Sequence, residues 1–150
     1  MGVDQGSQQR VVVIDDLPEN RLLAALYLGE HFHVIGRASG TESLAHLGED
    51  APDAVLLDLS LEEEDGRLVL GLLRDRLHDC VPILAFTASP DLDPATRELF
   101  DGVVPKPLSS RQELVARIMG VLSEVSRRAA LPVDDRRFVL VVEDDPLVRE

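Results

Sequence analysis

The sequence predicts an α/β protein: a doubly wound, five-stranded parallel sheet in the order 2-1-3-4-5, with helices on both faces. Three observations carry this expectation. Short aliphatic runs recur along the chain, Val11-Val12-Val13-Ile14 and Ala54-Val55-Leu56-Leu57 among them. Runs without polar alternation belong to strands buried on both faces, as in a parallel sheet. Segments that read as helices separate them, so that strand and helix alternate along the chain. Finally, the 150 residues are 45% hydrophobic and 29% charged, enough for one domain with a real core and a short surplus. Only 3% are aromatic and Trp is absent, so that core must be aliphatic.

Residues 1–9, with Gly and Gln prominent, read as a flexible arm, and residues 10–128 as the domain. The first strand, Val11 to Ile14, stops at Asp15-Asp16. Pro18 suits the first turn of a helix, which continues through Arg21 to Leu28 and ends at Gly29. Phe32 to Ile35 is the second strand. Gly40-Thr41 opens a helix through about Glu49, broken by Pro52-Asp53. Ala54 to Leu57 is the third strand and ends at Asp58. Asp65 begins a helix to about Leu77, with Leu68, Leu72 and Leu73 on one side. Val81 to Phe86 is the fourth strand, its Pro82 placed at the start, where a missing N–H is tolerated. Asp93-Pro94 starts a short helix ending near Phe100, Gly102 to Val104 is the fifth strand, and Ser109 caps a long helix through about Arg127.

Acidic residues number 28 against 15 basic, a formal charge of -13. That balance argues against a nucleic-acid or anionic-membrane binder, since both need a positive field. One cysteine, Cys80, excludes an internal disulfide framework. Met1 to Arg10 lacks the basic-then-apolar pattern of a signal peptide, and no apolar run approaches the roughly 18 residues of a membrane span. The expected location is the cytoplasm.

In this topology ligands bind beyond the carboxyl ends of the strands, beside strand 1, where the winding reverses. The residues there are Asp15 and Asp16 (strand 1), Asp58 (strand 3), Thr87 (strand 4) and Lys106 (strand 5). Strands 1 and 3 are neighbours, so three carboxylates converge. Their mutual repulsion calls for a cation, and an all-oxygen donor set suits Mg²⁺ or Mn²⁺. None of the four histidines (31, 33, 46, 78) falls at a strand end. A cation site beside a free carboxylate, a hydroxyl and an ammonium is a phosphoryl-transfer constellation. Asp58 is then the nucleophile, forming an acyl phosphate, while Lys106 and Thr87 meet the phosphoryl oxygens. Each residue has a plainer reading alone. Asp15-Asp16 could cap a helix, Thr87 could be a strand residue and Lys106 a solvated charge. Their joint placement at strand ends carries the chemical reading.

With these residues in view, the chain resembles a response-regulator receiver domain of two-component signalling, a flavodoxin-like (βα)5 fold, over about residues 10–128. The residues that carry the likeness are Val-Val-Ile-Asp15-Asp16-Leu-Pro-Glu-Asn-Arg, Ala-Val-Leu-Leu-Asp58-Leu with Gly66 eight residues on, Phe86-Thr87-Ala88, and Lys106-Pro107. The resemblance implies that Asp58 is phosphorylated, Asp16 binds Mg²⁺ directly, Asp15 binds it through water, and the backbone carbonyl of Ser60 is a further ligand. It implies that Thr87 and Lys106 grip the phosphoryl group, and that a cis Lys106-Pro107 bond aims the lysine. The implied partner is a histidine kinase or a histidine phosphotransfer protein. Ser60 and Ser89 stand where the family tunes autodephosphorylation; being small, they imply a short-lived phosphorylated state. Three departures stand out. Val103 occupies the place of the family's frequent aromatic switch. The stretch from Thr87 to Lys106 is short, which predicts a stubby fourth helix. Glu62-Glu63-Glu64 follows Asp58 where a Pro-containing stretch is common, and reads as a solvated run, the alternative being added cation attraction.

Two other readings use the same residues. A haloacid-dehalogenase-like aspartyl-phosphate phosphatase uses similar residues, but carries Asp-x-Asp on its first strand; here Asp58-Leu59-Ser60 lies on the third. A degenerate receiver used only as a scaffold is disfavoured because every phosphorylation residue is present.

The C-terminal residues repeat the opening. Shifted by 128 positions, Val11 meets Val139, Asp16 meets Asp144, Pro18 meets Pro146 and Arg21 meets Arg149. Residues 129–136 therefore read as a linker, and 137–150 as the truncated first strand of a second, tandem receiver. Val139 to Val142 is then an apolar strand without its own sheet. It is open to a homodimer by strand exchange or to loose packing.

Overall fold

The structure, a computed structural model, describes residues 8–61, 63–77, 81–89, 91–108 and 110–129. Glu62, His78, Cys80, Ser109, most of the predicted arm, the predicted linker beyond Ala129 and the second strand start lie outside the described residues; Ala129, expected in the linker, ends the last helix.

Five parallel strands, β1 (Arg10–Ile14), β2 (His33–Arg37), β3 (Ala54–Asp58), β4 (Ile83–Thr87) and β5 (Gly102–Pro105), form one sheet in the order β2-β1-β3-β4-β5. The expected topology is the observed one. Helices α1 (Pro18–Leu28), α2 (Gly40–Ala45), α3 (Leu47–Asp50), α4 (Gly66–Arg76), α5 (Pro94–Arg97) and α6 (Arg111–Ala129) connect and cover it.

The period of two along each strand divides the aliphatic core into two layers. Val11 and Val13 join Leu56, Leu84 and Phe86 under α1 and α6, where Leu28, Leu114 and Ile118 are buried. Val12 and Ile14 join Val55, Leu57, Ile83 and Ala85 on the other face, against Val69, Leu70 and Leu73 of α4. Every residue of β3 and β4 is buried. This explains why their sequences lack polar alternation.

Several boundaries depart from expectation for local reasons. The helix expected through Glu49 breaks at His46. Its ring Nδ1 lies 2.9 Å from the Glu42 carbonyl, the acceptor a continuing helix would give to the His46 N–H. That N–H instead donates to Ser43. Ala51 ends α3 at φ 42°, the left-handed region, which costs an L-residue about 1–2 kcal/mol. The face of α4 is also corrected. Leu73 is buried as grouped, but Leu68 and Leu72 are 64% and 43% exposed, and Val69, Leu70 and Gly66 take the inner positions. The cap of α6 is Ser110, whose Oγ accepts from the Glu113 N–H at 3.1 Å. The stubby helix is α5, only four residues long.

A nearly buried ion pair ties β2 to α3. Arg37 grips Asp50 through two bonds, Nε to Oδ2 at 3.0 Å and Nη2 to Oδ1 at 2.7 Å. The Asp50 hydrogen bond holds the guanidinium above its ordinary pKa, against burial. Glu42, chiefly through the Ala38 N–H, sits below its own. Replacing Asp50 with Ala leaves the half-buried Arg37 with only the more exposed Glu42 as its ion-pair partner and is expected to cost roughly 2–4 kcal/mol. Glu42→Ala, at a more exposed partner, is expected to cost about 1 kcal/mol or less. Urea titration of both variants checks the order.

Candidate functional site

The carboxyl ends of β1, β3, β4 and β5 bring the expected residues to one edge of the sheet. Register fixes the arrangement. Ile14 pairs with Leu57, so Asp15 and Asp58 follow at the same level on adjacent strands. Asp58 pairs with Phe86, and Thr87 with Pro105, placing Thr87 and Lys106 each one step further along the edge.

Asp15, Asp16 and Asp58 each offer a carboxylate oxygen within 4.8 Å of the others. Asp15 and Asp58 are buried, and Asp16 is half-buried. At that spacing two unit charges repel by about 3 kcal/mol at an effective dielectric of roughly 20. Part of the repulsion is offset by Lys106, whose Nζ lies 2.8 Å from Asp15 Oδ2 and 3.2 Å from Asp58 Oδ1. The ammonium is itself 12% exposed at the side chain and stands 4.7 Å from the centre of the Phe86 ring. That cation–π contact fixes the lysine from below. The Lys106–Pro107 peptide is cis, as expected. One ammonium against three carboxylates leaves net negative charge at the strand ends.

Local bonds orient the acids. Asp15 Oδ1 accepts from the Leu17 N–H at 2.9 Å and Oδ2 from Asn20 Nδ2 at 3.2 Å. Asp58 Oδ1 accepts from the Ser60 N–H at 2.9 Å and from the Ser60 hydroxyl at 3.1 Å. With Lys106, three donors fall on Oδ1. Thr87 is buried at the end of β4, and its Oγ1 accepts from the Ser89 N–H at 3.0 Å. The hydroxyl is thus engaged with its own loop rather than with the acids.

Some of these partners had no distinct sequence signal. Asn20 and the Ser60 hydroxyl are short-range helpers whose spacing to Asp15 and Asp58 is their one sequence signal, and Phe86 reads in the sequence as an ordinary strand residue. The acidic run after Asp58 is not merely solvated. Glu64 reaches α2 and accepts from the Gly40 N–H (2.6 Å), the Thr41 N–H (3.0 Å) and the Thr41 hydroxyl (2.6 Å). Burial raises the Glu64 carboxyl, but these bonds outweigh it and leave the pKa below its ordinary value. A cleft of about 450 Å³ is lined by Asp16 together with Ser39, Thr41, Leu61, Glu63 and Glu64.

Comparison with known proteins places this site in a family. Residues 11–119 match the response regulator receiver domain. The chain is 34% identical over 118 residues to hybrid signal transduction histidine kinase D of Dictyostelium discoideum, covering 75% of this chain and 8% of that protein. It is 30% identical over 146 residues to the response regulator PleD of Caulobacter vibrioides, covering 90% of this chain and 28% of that protein. The chain therefore spans a minor part of these relatives. Among solved structures, the response regulator TrrA of Thermotoga maritima, in complex with Mg(2+)-BeF, superposes with a TM-score of 0.67 at 26% identity, over 77% of this chain and 100% of that one. The fold also matches Vibrio cholerae chemotaxis protein CheY4, with a TM-score of 0.68 at 20% identity over 77% of this chain and 100% of that one. The chain belongs to the response-regulator receiver family and is a phosphoacceptor receiver of two-component signalling. Receiver domains bind Mg²⁺ through an acidic pocket, and the oxygen-only cluster of three aspartates fits that ion. No helix of the described residues is long and apolar enough to cross a membrane.

Lys106 competes electrostatically with any cation beside Asp15 and Asp58. Lys106→Met is therefore expected to bind Mg²⁺ several-fold more tightly by calorimetry, while accepting phosphate roughly a hundredfold more slowly. Weaker Mg²⁺ binding in the variant contradicts this reading.

Proposed function

We propose that Asp58 is the phosphoacceptor and that the surrounding residues divide the labour of a phosphoryl transfer. Asp16 and Asp58, with Asp15 through water and the Ser60 backbone carbonyl, hold Mg²⁺ (Mn²⁺ being an alternative). The ion, when bound, neutralises charge on the phosphoryl oxygens. Lys106 and Thr87 grip those oxygens. The observation that carries the reading is the Lys106 ammonium bridging Asp15 and Asp58 at the strand ends, beside a third carboxylate.

The three donors on Asp58 Oδ1 favour Oδ2 as the attacking oxygen. Its lone pair forms the bond to phosphorus. The P–N bond to the donor imidazole breaks, and that imidazole leaves with the electron pair. Little else is asked of the protein than positioning. The donor is a histidine kinase or a histidine phosphotransfer protein, in the cytoplasm. Hydrolysis of the acyl phosphate follows by a water admitted past Ser60 and Ser89, both small. A short lifetime is expected, without turnover of an external substrate.

The repeat at Val139 to Arg149 supports reading residues 129–136 as a linker and 137–150 as the beginning of a tandem receiver.

Incubation with acetyl phosphate and Mg²⁺, followed by intact-mass measurement, is expected to add one phosphoryl group to the native chain and none to Asp58→Asn. Chelation of the metal is expected to abolish the gain. Labelling of Asp58→Asn to the native extent would overturn the assignment.

A further inference from the structure

The loop from Leu59 to Asp65 carries two groups that the proposed function uses, the Ser60 carbonyl and the Ser60 hydroxyl. The loop is closed tightly at its base. A Cβ on Gly66 would lie 3.1 Å from both Cα and O of Leu59 and 3.3 Å from Asp58 O, so the first turn of α4 presses directly on the phosphoacceptor strand's end. Leu61 sinks into the core beneath. The loop's outer limb is held from a different element altogether. Glu64 accepts three hydrogen bonds from Gly40 and Thr41, at the beginning of α2. Gly40 is required there. A Cβ would come within 2.5 and 2.7 Å of the Val69 methyls and 3.1 Å of Glu64 Oε1, so α2 closes on α4 and the carboxylate together only because the side chain is absent. Ser39 completes the turn, its hydroxyl accepting from the Glu42 N–H at 3.0 Å.

We infer that Glu64 is a positioning residue for the phosphoacceptor site: by clamping the loop to α2, it holds Ser60 in the orientation that Asp58 and the cation need. The inference rests on the proposed role of the Ser60 carbonyl. Glu64 lines the same cleft as Asp16 but stands outside the set of Asp15, Asp16 and Asp58, which alone form such a cluster among the described residues. Its carboxylate is also engaged by donors already, two amides and a hydroxyl, which is the geometry of a structural tether. Glu63 provides an internal comparison. It lines the same cleft with the same charge and is exposed, so electrostatic attraction and positioning make different predictions for the two residues.

The test measures Mg²⁺ affinity by calorimetry, and the initial rate of labelling by acetyl phosphate at limiting and at saturating Mg²⁺, in the full chain. Glu64→Ala is expected to weaken Mg²⁺ binding roughly tenfold, the lower end of the cost of losing an outer-shell partner. Saturating Mg²⁺ is expected to recover most of its labelling rate. Thr41→Val, which removes one of the three donors and leaves the charge, is expected to show a smaller loss in the same direction. Glu63→Ala is expected to stay within about twofold of the native chain, since an exposed charge is screened. Equal losses in Glu63→Ala and Glu64→Ala would make the effect one of charge and overturn the clamp. Native affinity in Glu64→Ala would overturn it too, showing that Leu61 and the Ser60–Asp58 bonds suffice. Should Glu64→Ala fail to fold, native Mg²⁺ affinity in Thr41→Val overturns the inference and a loss supports it. Mg²⁺ binding and labelling of the native chain in the same assays test the phosphoacceptor reading separately.

Discussion

The meeting of Asp15, Asp58 and Lys106 at the carboxyl edge of the sheet is the constraint around which the molecule is arranged. Two buried carboxylates on adjacent strands are unfavourable neighbours. They coexist here because an ammonium from the sheet's far strand reaches both. That reach depends on strand order. With β1 and β3 central and β4 and β5 following on one side, the lysine crosses over β4, and Phe86 beneath it supplies a ring face rather than an apolar wall. The remaining negative charge, with Asp16 at the rim, suits the edge to a hard cation.

A rigid sheet alone does not place the loop atoms that the chemistry also needs. In this chain the loops are fastened to one another across the edge. Asp65 caps α4 locally through the Arg67 N–H. Arg67 in turn bonds Thr96 of α5 and faces Asp93, which caps that helix, and Glu64 bonds the start of α2. The segment following Asp58 is therefore connected to both flanks of the site within four residues of sequence. Val103, buried and small where an aromatic is frequent in the family, leaves β5 without a large side chain to rotate. Its carbonyl is held by Arg117 of α6. The connections through residues 64–67 physically link the segment after Asp58 to α2 and α5.

Much of this was legible in the sequence, because the strongest signals are those set by burial. Uninterrupted aliphatic runs marked the strands, and acidic or basic residues immediately after them marked the site, since a parallel sheet exposes only its strand ends. What escaped were features decided by contacts between elements or by the local choice of a side-chain partner. Leu68 and Leu72 share a helical side with each other, but the inner face of α4 is set by Val69 against Gly40, which no spacing within α4 reveals. The break at His46 follows from a ring displacing a backbone donor. Glu64 read as part of a solvated run because its partners lie 23 and 24 residues away in the chain. Ser60 was assigned a role through its carbonyl; its hydroxyl bond to Asp58 is a rotamer choice that sequence does not encode.

The central claim is that one edge of the sheet, and not the dispersed negative charge of the chain, is the cation and phosphoryl site. A residue-resolved NMR titration of the native chain with Mg²⁺ tests it most directly. The account predicts saturable amide shifts concentrated at Asp15, Asp16, Asp58, Ser60 and Lys106, fading with distance from that edge. Shifts that do not saturate, or that centre on exposed acids such as Glu19, Glu49 and Glu98, would contradict it.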